Sequence, residues 1–172
     1  MFGDFLEFHA IKTEIFTERH TFHNSKIITE KTVAHDENSH TTITINNIGD
    51  IYLFYIKLDD TDIEMWDDEL KTNPRAKSLE NSIFRNHKTG YFWQIKRTAG
   101  QPAIVSLFYG FVAMAVAKET DGFIYSDDGA WSYELFPTHW QNLYSEHFDI
   151  DSIQNPDIKS TVRNWINLLK RR

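Results

Sequence analysis

QPAIVSLFYGFVAMAVAKETDGFIYSDDGAWS, residues 101–132, is the stretch whose reading decides the fold. A proline near its start is followed by Ala103 to Val116 without a single charge; Lys118, Glu119 and the pair Asp121-Gly122 then close the run. A helix apolar on all sides is a buried one, so this run predicts a central helix on which the other elements pack. It is shorter than the roughly 18 apolar residues needed to cross a bilayer, and therefore reads as core. Beyond the Asp-Gly stop, Phe123-Ile124-Tyr125 reads as a short strand. Ser126-Asp127-Asp128-Gly129 reads as an acidic turn, Asp-Gly being a turn dipeptide.

On the N-terminal side the pattern is β-like. Phe5–Ile11 alternates apolar and polar residues as a strand does. Lys12–Asn24 is polar, rich in threonine and histidine, and reads as a strand continuation or a loop. Lys26–Val33 predicts a second strand. Thr41–Asn46 and Ile51–Leu58, joined by Asn47-Ile48-Gly49-Asp50, predict a hairpin with a glycine-containing loop. From Leu58 to Lys71 the period changes to helical, with Asp60 or Thr61 as N-cap and Ile63, Trp66 and Leu70 as a one-sided apolar stripe. Asn73-Pro74 ends that helix. Arg75–Lys88 is basic with a short helix around Leu79–Phe84, and Tyr91–Lys96 is a strand.

On the C-terminal side, Trp131–Phe136 leads to Pro137 and a short helix from Thr138 to His147. The last helix, Pro156–Lys170, is amphipathic: Ile158, Val162, Trp165, Ile166 and Leu169 share one side. Strands come early and helices late. The expected class is α+β, a single domain over residues 1–172 with a mainly antiparallel sheet in its N-terminal half, packed against the buried central helix and the C-terminal helices.

Composition supports a folded core, for 13 Phe, 7 Tyr and 5 Trp in 172 residues supply ample apolar area. The absence of cysteine excludes a disulfide framework, a thiolate metal site and a thiol nucleophile. Met1-Phe2-Gly3-Asp4 does not open a signal peptide, so the expected compartment is the cytoplasm. Net charge is −7 and unevenly placed: residues 51–70 carry 1 basic and 7 acidic groups, residues 71–100 carry 7 basic and 1 acidic. The overall sign argues against nucleic acid as partner, since phosphate contacts need clustered cations.

Three constellations bear on chemistry. Asp127 and Asp128 could hold a hard cation or act as an acid–base pair, which with His139 would make a metal-assisted hydrolase; adjacent carboxylates in an Asp-Gly loop more often form a turn. The histidines, including His20, His23, His35 and His40, lack the spacing of a zinc site, and neither a nucleophile elbow nor a phosphate-binding loop occurs. The expectation is therefore a non-enzyme without metal or cofactor. The third is acidic: Asp59, Asp60, Asp62, Glu64, Asp67, Asp68 and Glu69 are crowded around Met65 and Trp66, with only Lys57 and Lys71 beside them. Taken alone, such a run is a solvated helix face. Its self-repulsion would be relieved by a cationic partner, steered in at long range, with Trp66 or Met65 as the desolvated anchor.

The central run AIVSLFYGFVAMAVAKETDG, continuing into GFIYSDDGAWS, resembles the C-terminal half of several small bacterial immunity proteins over about residues 100–148. These are antidotes encoded beside polymorphic toxins in contact-dependent growth inhibition and type VI secretion loci. The resemblance implies a cytoplasmic protein that binds one cognate toxin, of basic and nuclease-like kind, and occludes its active site. It carries over no binding residues. The surface expected from the charge layout is Asp59, Asp60, Asp62, Glu64, Trp66, Asp67 and Asp68, joined by Asp127 and Asp128.

Overall fold

The computed structural model describes residues 13–23, 26–32, 39–45, 49–97, 100–101, 105–126 and 135–170, with side chains from residue 40 to 167 of these, Arg97 excepted. The expected strand at Phe5–Ile11 and the pair Asp127-Asp128 lie outside the described residues.

The described strands are β1 (Thr13–His23), β2 (Lys26–Thr32), β3 (Ser39–Ile45), β4 (Gly49–Lys57) and β5 (Tyr91–Arg97). They form one antiparallel sheet in the order β2-β1-β3-β4-β5. The polar Lys12–Asn24 segment thus resolves as a strand: its alternation is weak in hydrophobicity, but pairing to β2 on one side and β3 on the other satisfies its backbone. The β3–β4 hairpin is as expected, with Ile43 opposite Ile51 and Thr41 opposite Leu53. Because side chains alternate along a strand, this register puts Ile43, Ile45, Ile51 and Leu53 on one face, where all four are buried. Trp93 and Ile95 of β5 extend the same face opposite Tyr55 and Leu53.

Between β4 and β5 the chain makes α1 (Asp60–Thr72), α2 (Pro74–Ser78) and α3 (Glu80–Thr89). The basic stretch expected to hold one short helix therefore holds two. Proline at the first position of α2 costs no hydrogen bond, and the Asn73 side chain caps it by accepting from Arg75 N at 2.9 Å. Asn73 also donates to Glu69 Oε2 at 2.8 Å and to the Phe136 carbonyl at 3.0 Å, tying this helical group to a distant part of the chain. Trp66, Ala76, Leu79 and Ile83 form a small core of their own, with Leu70 and Phe123 packed against it.

The central helix is α4 (Val105–Glu119), followed by α5 (Trp140–His147) and α6 (Pro156–Lys170). Val105, Phe108 and Met114 of α4 are fully buried, and Leu107, Phe111, Val112 and Ala117 nearly so. Each large apolar side chain buried in this way contributes about 1.5–3 kcal/mol. The helix lies on β4 and β5 and against α5, and α6 brings Val162 into the same core. No helix is long and apolar enough to cross a membrane, among the described residues.

Two local expectations change. Phe123–Tyr125 is not a strand of the sheet but makes one isolated bridge, Ile124 to Thr138. Ile124 N donates to Thr138 O and Thr138 N donates to Ile124 O, so this short run ties the end of α4 to the start of α5. The stop of α4 also differs in detail. Gly122 N donates to Ala117 O at 2.8 Å and Asp121 N to Lys118 O at 3.4 Å, the paired bonds of a Schellman end. The left-handed residue in that motif is Asp121, with φ of +50°, and not the glycine after it.

Candidate functional site

The acidic helix α1 is capped by Asp59 and not by the expected Asp60 or Thr61, which are its first two helical residues, and the cap is reciprocal. Asp59 Oδ1 accepts from Asp62 N and Asp62 Oδ2 accepts from Asp59 N, both at 3.0 Å. Two of the seven carboxylates thus satisfy orphan amides of the first turn, where negative charge is also favoured by the helix dipole. Asp60, Glu64, Asp67 and Asp68, at i, i+4, i+7 and i+8, share the side facing solvent, and all four are exposed. One ion pair relieves them among the described residues, Lys71 Nζ to Asp68 Oδ1 at 3.0 Å, itself open to water. Glu69 is half-buried and held by Asn73.

Trp66 corrects the expectation of an exposed anchor. It is buried, with only 6% of its surface accessible, and its ring meets Phe123 and Tyr125 edge-on at centroid distances of 5.1 and 5.0 Å. The reason is amphipathicity: Trp66 is the largest apolar group on α1, and α1 has only this side with which to hold the small core. Met65 and Ile63, each 37% exposed, are the apolar side chains left beside the carboxylates. Asp127 and Asp128 cannot be joined to the surface, since they lie outside the described residues.

Beside α1 lies a feature that periodicity could not reveal, a cleft of about 720 Å³ between the two hydrophobic cores. One wall is sheet and α4: Tyr55, Tyr91 and Trp93 stand on the strands, and Gly110, Ala113 and Ala117 leave room along the helix. The other wall is Asp62, Met65 and Trp66 of α1 with Phe123 and Tyr125. Tyr55 stacks on Tyr91 with centroids 4.7 Å apart and planes 6° from parallel, and meets Trp93 at 5.0 Å. Arg85 of α3 closes the rim, pairing with Asp121 Oδ2 at 2.7 Å and donating to the Asp121 carbonyl at 2.6 Å. The volume falls within the roughly 300–1,000 Å³ usual for ligand sites.

The chain has no match among protein-family models, curated proteins or solved structures.

Among the described residues no three histidine, aspartate or glutamate side chains are grouped to hold a metal ion. His139, expected near Asp127 and Asp128 in the hydrolase reading, is an exposed residue at the start of α5. His40 is buried against Phe54, its ring stacked at 5.3 Å. His147 is buried in α5, and burial holds its imidazole below the usual histidine range, in the neutral form. The site presents a row of solvated carboxylates on one side of α1 and an aromatic cleft lined from the opposite side of the same helix.

Proposed function

We propose that this protein is a binder and not an enzyme: a cytoplasmic immunity protein that docks the carboxylate side of α1 on a basic surface of a cognate toxin. The observation that carries the reading is Asp60, Glu64, Asp67 and Asp68 exposed on one helix side, with a single solvent-exposed lysine partner among the described residues. Left to itself that side is mutually repulsive; a cationic groove, such as a nuclease uses to hold its substrate, would offset the repulsion. Surface charge of this kind raises association rates by about 10- to 1,000-fold and loses its effect with salt. The resemblance of residues 100–148 to immunity proteins points the same way, and occluding the toxin's substrate groove would neutralise it.

The test is co-expression with the toxin domain encoded by the neighbouring reading frame. The intact protein should restore growth. The triple variant Asp60→Lys, Glu64→Lys, Asp67→Lys should fail to do so and associate at least about tenfold more slowly at low salt. It leaves the cap and Trp66 untouched, so the fold is retained. Association that is equally fast in variant and parent would refute docking through α1.

A further inference from the structure

We infer that the cleft between the two cores takes an extended, uncharged peptide segment of a partner protein, added as a strand along the free edge of β5. The inference goes beyond the docking reading and does not depend on it, for the cleft is lined from the side of α1 opposite its exposed carboxylates.

β5 ends the described sheet and pairs with β4 alone. Leu58 N donates to the Gly90 carbonyl at 2.9 Å, and opposite pairs in an antiparallel ladder alternate between bonded and unbonded. Along this register the backbones of Phe92, Gln94 and Lys96 bond to β4, whereas those of Tyr91, Trp93 and Ile95 point away from it. The Tyr91 and Ile95 carbonyls each have a hydroxyl donor, Thr89 Oγ1 at 3.3 Å for the first and Tyr109 for the second. The N–H groups of Tyr91 and Ile95 have no acceptor among the described residues. A peptide backbone offers acceptors at strand spacing, and each edge carbonyl keeps a second lone pair for a peptide N–H.

The cleft lies where such a strand would go. Every residue from Tyr91 to Lys96 lines it, although their side chains alternate between the two faces, so it runs along the edge of β5 and not over one face. At about 3.3 Å per residue this is roughly 20 Å of edge. Tyr91–Ile95 contains neither charge nor proline, the usual protections of an open edge. The charges lining the cleft cancel, Asp62 and Asp121 against Arg85 and Lys96, with Arg85 and Asp121 paired at 2.7 Å. That balance suits a segment without charge. Trp66 and Trp93 on facing walls, with Gly110 and Ala113 of α4 between them, leave room for its apolar side chains.

The experiment is an NMR titration of the full, isotope-labelled chain with the peptide acetyl-Ser-Val-Thr-Val-Ser-amide and its twin N-methylated at every residue, which keeps the side chains but cannot join a ladder. In the free protein the Tyr91 and Ile95 amides should exchange with solvent at least about a hundredfold faster than those of Phe92 and Gln94. With the parent peptide at about ten times its dissociation constant, exchange at Tyr91 and Ile95 should slow about tenfold. The N-methylated twin should bind at least about tenfold more weakly. Ala113→Leu, which extends into the cleft from α4, should weaken the parent peptide about fivefold. Equal binding of the two peptides would make the cleft a seat for apolar groups and overturn the inference. So would slow exchange at Tyr91 and Ile95 in the free monomer, which would show the edge already covered. Slow exchange appearing only as protein concentration rises would make the occupant a second copy, against the proposal. Unaltered binding in Ala113→Leu would put the strand outside the cleft, and no change at Tyr91 and Ile95 at any soluble peptide concentration would leave no strand at all; either result sinks it.

Discussion

Glu64→Lys should stabilise this protein, an outcome opposite to the usual effect of a point substitution. Glu64 sits four residues after Asp60 and three and four before Asp67 and Asp68, all on the exposed side of α1. Each like-charge pair at that spacing costs about 0.2–0.5 kcal/mol, and each opposite pair returns a similar amount. Reversing one charge therefore changes three pairs by roughly 0.4–1 kcal/mol apiece. Two of the three would place lysine before the acid, the weaker orientation, and all are exposed to water, so the lower end applies. The expected gain is about 1 kcal/mol at low salt. With a urea slope of about 2 kcal/mol per molar, that raises the unfolding midpoint by about 0.5 M. At about 0.5 M salt, where screening acts over a few ångströms, the gain should fall below half. Urea unfolding followed by tryptophan fluorescence at both salt concentrations measures this directly. A midpoint unchanged or lowered at low salt would mean that the carboxylates do not repel one another in the free protein. A cationic partner would then have no repulsion to relieve at α1. A stabilising substitution that also abolishes toxin neutralisation would show stability given up for binding.

At Asp121, held at φ +50° and paired with Arg85, the left-handed backbone disfavours any residue with a Cβ other than asparagine or aspartate. Asp121→Ala should lower stability by about 1–2 kcal/mol and Asp121→Gly by about 1 kcal/mol less than that, read as a difference in thermal unfolding; equal losses would show that the backbone conformation costs nothing there. His147 makes stability fall with acid. Its native pKa is depressed by burial, so below pH 6.5 the unfolded chain takes up a proton that the native state refuses. The full stability is present above pH 6.5 and declines as pH drops through the native value, by up to about 1.4 kcal/mol per pH unit. His147→Gln should flatten urea midpoints between about pH 7 and 5.5 relative to the parent, and parallel slopes would refute the assignment.

Helix α4 is legible in the sequence because a long uncharged run can only be buried, and α6 because its apolar residues recur at helical spacing over fifteen residues. The β3–β4 hairpin follows from clean alternation around a short loop, and the charged side of α1 from seven carboxylates in close sequence. The burial of Trp66 is not legible, because a helical stripe says which side is apolar and not whether another element covers it; Phe123 and Tyr125, more than fifty residues away, do the covering. Phe123 and Ile124 illustrate the same limit. As neighbours they read as one strand, yet one packs on the small core and the other belongs to the large core. The left-handed conformation of Asp121 could not be told from that of the adjacent glycine, because the Arg85 contact that helps hold it comes from α3.

The amino-acid order on its own determined the periods, the antiparallel sheet with its buried helix, and the acidic character of one segment. Long-range packing alone decided that α1–α3 would gather a second core, that a cleft would open between the two cores, and that aromatic side chains from β4, β5 and α1 would line it. The physical reason is that hydrogen-bond ladders and side-chain periods act over a few residues. A cleft is the space left where surfaces distant in sequence meet without filling the volume between them.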